Sequence, residues 1–286
     1  KLEYYTDGEG FAATAVKTVY YRVMEGHTVI FDANGGAYPD GAATVSKTAL
    51  HGTRISPPDT LPTRVGYGVT DWYKSADGSG AAWNFDTDTV TGDIRLYAKW
   101  TEGVVSYKVE HYKEKLDGTY PDTADDTEIK PGRTGQNAMY NPKTYEGFTY
   151  ESHLTTINGT QQLSGFIAGD NSTVVKLYYK RKQITVTFKL DGGKIDGNPS
   201  DVTSTGRYGA TLTKPADPTK PGYTFNSWQP DGDAPALPSV FPAKNAEYKA
   251  QWTPNTYKVR FQGNDEDSGS MSDQTFTYGI TQKLSK

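Results

Sequence analysis

The sequence predicts a mainly β chain (α+β at most) with little helix, laid out as a tandem array of small domains. Three observations predict it. Sequence blocks recur in a fixed order, the recurring blocks alternate apolar and polar residues, and Gly, Pro, Asn and Asp punctuate them where strands must turn. Self-similarity outranks any local signal. Residues 29–36 read VIFDANGG and residues 186–193 read VTFKLDGG. Further on, Gly66-Tyr67 leads to Trp72 and Gly222-Tyr223 leads to Trp228 at the same spacing. Each unit then closes on LYAKW at 96–100 or YKAQW at 248–252.

The elements follow from residue chemistry. Ile184, Val186, Phe188 and Leu190 alternate with Thr185, Thr187 and Lys189, the period of a half-buried strand. Ala246, Tyr248, Ala250 and Trp252 alternate with Glu247, Lys249 and Gln251 in the same way. Asn34-Gly35 and Asp191-Gly192 are dipeptides that tolerate positive φ at tight turns. PPDTLP at 57–62 and PADPTKPG at 215–222 cannot continue a helix or a central strand and read as extended connectors. The best helical windows, 41–50 and 158–168, are short and rich in Thr, Ser and Gly.

Two echoes concern the ends. VRFQGNDEDSGS at 259–270, then Tyr278-Gly279, matches the opening half of a further repeat. VKTVYYRV at 16–23 resembles VVKLYYKRK at 174–182, so residues 1–26 read as the closing part of a domain whose full version lies at 102–183. The expected divisions are therefore 1–26, 27–101, 102–183, 184–254 and 255–286, with the first and last incomplete and short junctions at 101–104, 182–184 and 253–256.

Composition removes several functions. The 286 residues carry 30 Lys+Arg against 34 Asp+Glu, a net charge of −4. Without a basic block, phosphate neutralisation cannot support nucleic-acid binding. No apolar run approaches the ~20 residues of a membrane helix, so no membrane insertion is expected within this sequence. With no cysteine, disulfides, thiolate metal sites and cysteine nucleophiles are excluded. Burial falls instead to 21 Tyr, 10 Phe and 5 Trp, which suits several small aromatic cores.

Little in the chain points to chemistry. Trp72, Trp100, Trp228 and Trp252 recur at framework positions and read as packing residues. Trp83 stands outside that pattern and is a candidate ligand contact. Tyr4-Tyr5, Tyr20-Tyr21 and Tyr178-Tyr179 put adjacent aromatics on opposite faces of a strand, so one of each pair turns outward; Tyr178 and Tyr179 are further contact candidates. His27, His51, His111 and His153 lack ligand spacing, so no metal site is expected. The acidic stretches 86–93, 122–126 and 263–269 read as solvated turns rather than calcium loops. No nucleophile–base pair or phosphate-binding glycine loop is visible, and neither catalysis nor a cofactor is expected.

At the level of families, the VIFDANGG…GYGVTDW…LYAKW and VTFKLDGG…GYTFNSW…EYKAQW units resemble the internalin-type B repeat, also called the Listeria–Bacteroides repeat. The stretch VSYKVEHYKEKLDGTYP…TYEGFTYES…STVVKLYYKRK is similar to mucin-binding-protein-like (MucBP) repeats. These resemblances imply small β-grasp, ubiquitin-like domains carried on secreted or cell-wall-anchored bacterial surface proteins. They imply a non-catalytic extracellular stalk with neighbouring repeats as its partners and a role in adhesion. An adhesin module binding host mucin or matrix glycoprotein, and an accessory region of a secreted enzyme, are the alternatives. Internal Lys–Asn amide bonds are a further expectation for a disulfide-free stalk, although no spacing singles out a triad.

Overall fold

A computed structural model describes residues 23–262 and 271–285. In chain order these form β1 (Gly26–Asp32), β2 (Thr44–Leu50), β3 (Tyr67–Tyr73), β4 (Ile94–Glu102), β5 (Val104–Lys113), β6 (Asp126–Arg133), β7 (Phe148–Tyr150), β8 (Thr156–Ile157), β9 (Thr160–Gln161), β10 (Val174–Arg181), β11 (Gln183–Lys189), β12 (Val202–Arg207), β13 (Tyr223–Asp231), β14 (Ala246–Pro254), β15 (Thr256–Val259) and β16 (Gln274–Thr277). Among the described residues the helical content is one 3-10 turn, Ser152–Leu154. The windows 41–50 and 158–168 are not helical: they hold β2 and the short hairpin strand β9. β-Branched Thr44, Val45 and Thr48 lose rotamer freedom in a helix and pack well on a pleated surface. The chain divides into two units, Lys1–Gly103 and Val104–Lys286.

In the first unit the sheet order is β2-β1-β4-β3. β1 and β4 are parallel at the centre, and β2 and β3 flank them antiparallel. A parallel pair needs a crossover, which in most folds is a helix. Here the connector between β2 and β3 holds Pro57, Pro58 and Pro62, and the chain crosses in extended form. Alternation along β1 sends Val29 and Phe31 to the core beside Trp72, Trp83, Val90 and Leu96. Full burial of Phe31 is worth about 2–3 kcal/mol.

The second unit contains the same arrangement again, β12-β11-β14-β13, with β11 and β14 parallel. A bulge falls at corresponding places, between Val69 and Asp71 in β3 and between Phe225 and Ser227 in β13. A further sheet runs β6-β5-β10-β8-β9 around the parallel pair β5 and β10, with β7 also pairing β10. β15 and β16 form an antiparallel pair.

The signature residues of the repeated blocks meet at one place. Asn34 (φ 47°) and Gly35 (φ 89°) form a tight turn closed by Gly36 N–H to Ala33 C=O at 3.0 Å. Asp191 (φ 49°) and Gly192 (φ 82°) do the same, with Gly193 N–H bonding Leu190 C=O at 2.9 Å. A tryptophan from the last strand lies across each turn. Trp100 Nε1–H donates to Ala33 C=O at 2.9 Å, and Trp252 Nε1–H to Leu190 C=O at 3.3 Å. A Cβ at Gly193 would sit 2.5 Å from Trp252 Cζ2, and one at Gly36 would strike Trp100. The Gly-Gly pair and the distant Trp are one device: the first Gly supplies the backbone angle and the second makes room for the indole.

Candidate functional site

β10 decides which tyrosine is available. Val175, Leu177 and Tyr179 point inward, whereas Lys176, Tyr178 and Lys180 lie on the other face. Tyr179 is 1 % exposed, which corrects its reading as a contact candidate. Its hydroxyl accepts the Lys143 N–H at 3.0 Å and meets His111 Nδ1 at 2.8 Å. The Glu128 carboxylate can only accept, so His111 Nε2–H donates to its Oε1 at 2.9 Å, and in the neutral ring Nδ1 then accepts the Tyr179 O–H. Trp83 is likewise corrected. It is 6 % exposed and packs in the first core, and Lys74 Nζ lies 5.0 Å from its ring.

Tyr178 is half-buried and sits in an aromatic cluster. Parallel pairing sets Tyr112 of β5 directly opposite Tyr178 of β10, and the two rings stack at 5.2 Å. Tyr120, from the β5–β6 connection, meets Tyr178 edge-on at 4.9 Å. Tyr120, Leu154, Thr156, Gln161 and Tyr178 line a shallow depression of about 300 Å³. Tyr112 is buried at the rear, where its hydroxyl donates to Glu110 Oε2 at 2.6 Å. Burial, with the Glu114 and Glu151 carboxylates beside it, pushes the Tyr120 hydroxyl up to about 12. Burial and Glu110 push Tyr178 upward too, so the cluster presents neutral phenols. Such a surface can stack on an apolar face of a ligand and offer hydroxyl groups; it holds no acid–base pair.

Sequence reasoning found Tyr178 but not Tyr112 or Tyr120. The available signal was β-ladder pairing: two strands that each carry adjacent aromatics place them opposite each other once their register is known. The paired tyrosines Tyr4-Tyr5 and Tyr20-Tyr21, and the acidic stretch 263–269, lie outside the described residues.

Other candidate groups are structural in their contacts. Trp72 and Trp228 are buried and set edge-on to Phe31 and Phe188, each at 5.1 Å. His27 and His51, far apart in sequence, meet at 3.0 Å between Nε2 and Nδ1. No group of three or more His, Asp or Glu able to hold a metal occurs among the described residues. Within 86–93, Asp88 Oδ2 accepts the Asn84 N–H at 2.9 Å and Asp93 Oδ1 the Thr28 N–H at 2.7 Å, the work of turns and strand ends. Within 122–126, Asp125 Oδ2 accepts the Lys113 N–H at 2.7 Å.

Lys189 meets Asp231 at 2.8 Å and Glu247 at 2.7 Å, a lysine between two carboxylates. All three are partly exposed, and the hydrogen bonds that Lys189 donates to Asp231 and Glu247 raise the lysine pKa. Amide formation needs the reverse, a neutral amine in a dry site.

No helix among the described residues is long and apolar enough to cross a membrane. Comparison with known proteins gives a consistent picture. A protein of Evansella cellulosilytica named "Putative membrane protein" is 28% identical over 250 residues, 85% of this chain and 34% of that protein. A second from the same organism, "Putative Gly-rich membrane protein", is 28% identical over 274 residues, 91% of this chain and 29% of its own length. Internalin H of Listeria monocytogenes is 38% identical over 85 residues, 29% of this chain and 14% of that protein. The chain thus spans about a third or less of the length of each of these relatives. Residues 27–99 and 185–236 match the Listeria-Bacteroides repeat domain; these spans include both Gly-Gly turns and end before Trp100 in the first sheet and before β14 with Trp252 in the other.

Proposed function

We propose that this chain is part of the non-catalytic, extracellular repeat region of a bacterial cell-surface protein, acting as a stalk that carries other parts of that protein away from the envelope. The observation that supports this most is the reuse of one small sheet. β2-β1-β4-β3 and β12-β11-β14-β13 share strand order, bulge and tryptophan turn. Single residues (Gly103, Lys182 and Asn255) separate the last strand of one sheet from the first strand of the next. Reiterated modules on minimal linkers serve reach rather than a shared cleft. The relatives named as membrane proteins and the internalin segment favour a surface location. On this reading the domains run 27–101, 102–183 and 184–254, with parts of two more at 1–26 and 255–286. Small-angle scattering tests it: an elongated profile is expected, and a compact globular one overturns the stalk.

A second reading, adhesion, is favoured by the Tyr120–Tyr178 depression within 102–183, the stretch that resembles MucBP repeats. Its partner would be a host mucin or matrix glycoprotein, held weakly at many repeats. Binding of the chain to intact and deglycosylated mucin, with Tyr178→Ala and Tyr120→Ala variants, tests it. Binding lost on deglycosylation and in both variants is expected; binding unaffected by either variant refutes this site.

A further inference from the structure

Two places in the second unit repeat one arrangement residue for residue. At the first, Gly147 (φ 76°) precedes Phe148, and its C=O accepts the Lys182 N–H at 2.9 Å. The Lys182 C=O in turn accepts the Tyr208 N–H at 2.9 Å. The Tyr208 ring lies flat against Gly147 and meets Phe148 edge-on at 5.6 Å. At the second, Gly222 (φ 78°) precedes Tyr223, and its C=O accepts the Asn255 N–H at 2.9 Å. The Asn255 C=O accepts the Tyr278 N–H at 2.9 Å, and the Tyr278 ring covers Gly222 and meets Tyr223 edge-on at 5.4 Å. A left-handed glycine follows each docking tyrosine, Gly209 (φ 78°) and Gly279 (φ 77°).

In both cases the glycine and its aromatic belong to one sheet and the tyrosine to the next along the chain. The single linker residue is bonded on both its faces, N–H to the sheet behind and C=O to the sheet ahead. A side chain at Gly147 or Gly222 would run into the tyrosine ring, and the positive φ excludes one on backbone grounds as well. Sequences as different as TYEGF and KPGYT build the same socket, so the match is not inherited from one repeat type. The first joint adds Arg181, whose Nε–H donates to Glu114 C=O at 2.7 Å and whose guanidinium donates to Tyr208 C=O at 2.8 Å.

We infer that the Gly–aromatic corner at the end of one sheet of the second unit is a docking surface whose partner is the Tyr-Gly corner of the sheet that follows, and that this joint holds the successive sheets of that unit at a fixed angle. It deepens the stalk reading yet fails independently of it, because scattering reads length whereas the joint is read by angular spread. The Tyr-Gly pair is a sequence mark for sheets built to seat on a predecessor. Position 134–135 carries Thr-Gly, after β6 as Tyr208-Gly209 is after β12.

The absence of cysteine allows two to be introduced for spin labelling in the full chain. Exposed Ser164 and Ser200 bracket the first joint, and Ser200 and Lys283 the second. A narrow label-to-label distance distribution is expected for the otherwise unchanged chain and for Tyr208→Phe, and a broad one for Tyr208→Ala with β11–β14 amide protection retained. At the second joint, where Tyr278 is 43% exposed, Tyr278→Ala should broaden the Ser200–Lys283 distribution and leave Ser164–Ser200 narrow. A broad distribution in the unchanged chain, or an equally narrow one after either Tyr→Ala change, overturns the inference. Should Tyr208→Ala unfold its sheet, the Tyr278→Ala result decides.

Discussion

Replacing Gly193 with Ala isolates the tryptophan turn from every other contribution to the fold. Gly193 is outside the positive-φ set, so Ala carries no backbone penalty there and, by narrowing the unfolded chain, would by itself stabilise by about 0.4–1 kcal/mol. The steric effect opposes this. The new Cβ would stand 2.5 Å from Trp252 Cζ2, 3.0 Å from Cη2 and 3.1 Å from Leu190 O, where ordinary carbon contacts are about 3.5–4.0 Å. The indole must withdraw by about 1 Å, because the rest of the contact is backbone. Withdrawal costs its hydrogen bond to Leu190, about 1 kcal/mol, and packing against Phe225, about 1–3 kcal/mol. The net expectation is about 2 kcal/mol of destabilisation, from combining these ranges. Hydrogen exchange of the β11 and β14 amides is the assay, since a chain of several sheets does not unfold in one step. In a double-mutant cycle, Gly193→Ala should cost little once Trp252 is Ala. Unchanged exchange in Gly193→Ala, or simple additivity with Trp252→Ala, would refute the argument that the glycine exists to admit the indole.

Three other outcomes are expected. Tyr179→Phe leaves His111 Nδ1 and the Lys143 N–H without their partner, so β10 should lose about 1–3 kcal/mol of exchange protection, while Tyr178→Ala on the opposite face should lose less. Trp83→Ala empties a nearly buried site and should destabilise the first unit by about 3–5 kcal/mol, measured by hydrogen exchange of the β1 and β4 amides; a change below about 1 kcal/mol would show that Trp83 is peripheral after all. The Asp126 carboxyl is held below the usual range by hydrogen bonds from Lys143 and Tyr145, and Asp77 at about 2 by those from Ser75 and Ser79. Depressed carboxylates contribute stability that is complete above the unfolded value near ~4 and is lost as pH falls through the folded one. NMR titration should therefore place both midpoints below ordinary Asp; a midpoint near ~4 for Asp126 would mean that the Lys143 contact is not formed in solution.

Strand existence, the turn dipeptides and the repeat itself were legible in the sequence because each is a local or periodic property. Alternation along residues 184–190 specifies a strand whatever surrounds it, and Asn34-Gly35 selects its turn through backbone energetics alone. The recurrence of Gly-Gly and Trp also announced itself, but not its reason, since Gly193 and Trp252 touch only after β14 has been laid beside β11. Trp83 illustrates the opposite case. No pattern flanks it, so the sequence suggested exposure, whereas its indole closes the first core through the β3–β4 connection.

The aromatic depression and the joints were decided entirely by tertiary structure. Adjacent tyrosines at 178 and 179 must face opposite ways, but which one is buried depends on which face of β10 meets the core. Tyr112 and Tyr178 become neighbours only through the parallel register of β5 and β10, and Tyr120 reaches them from a connector with no periodicity to read. Likewise Gly147 and Tyr208, 61 residues apart in the numbering, show no relation until the chain passes through Lys182 and turns back along β12. The sequence by itself determined the modules, because strands and turns are short-range chemistry. Only the tertiary structure decided what those modules present to one another, because register, face and long-range approach are set by how sheets close on their cores.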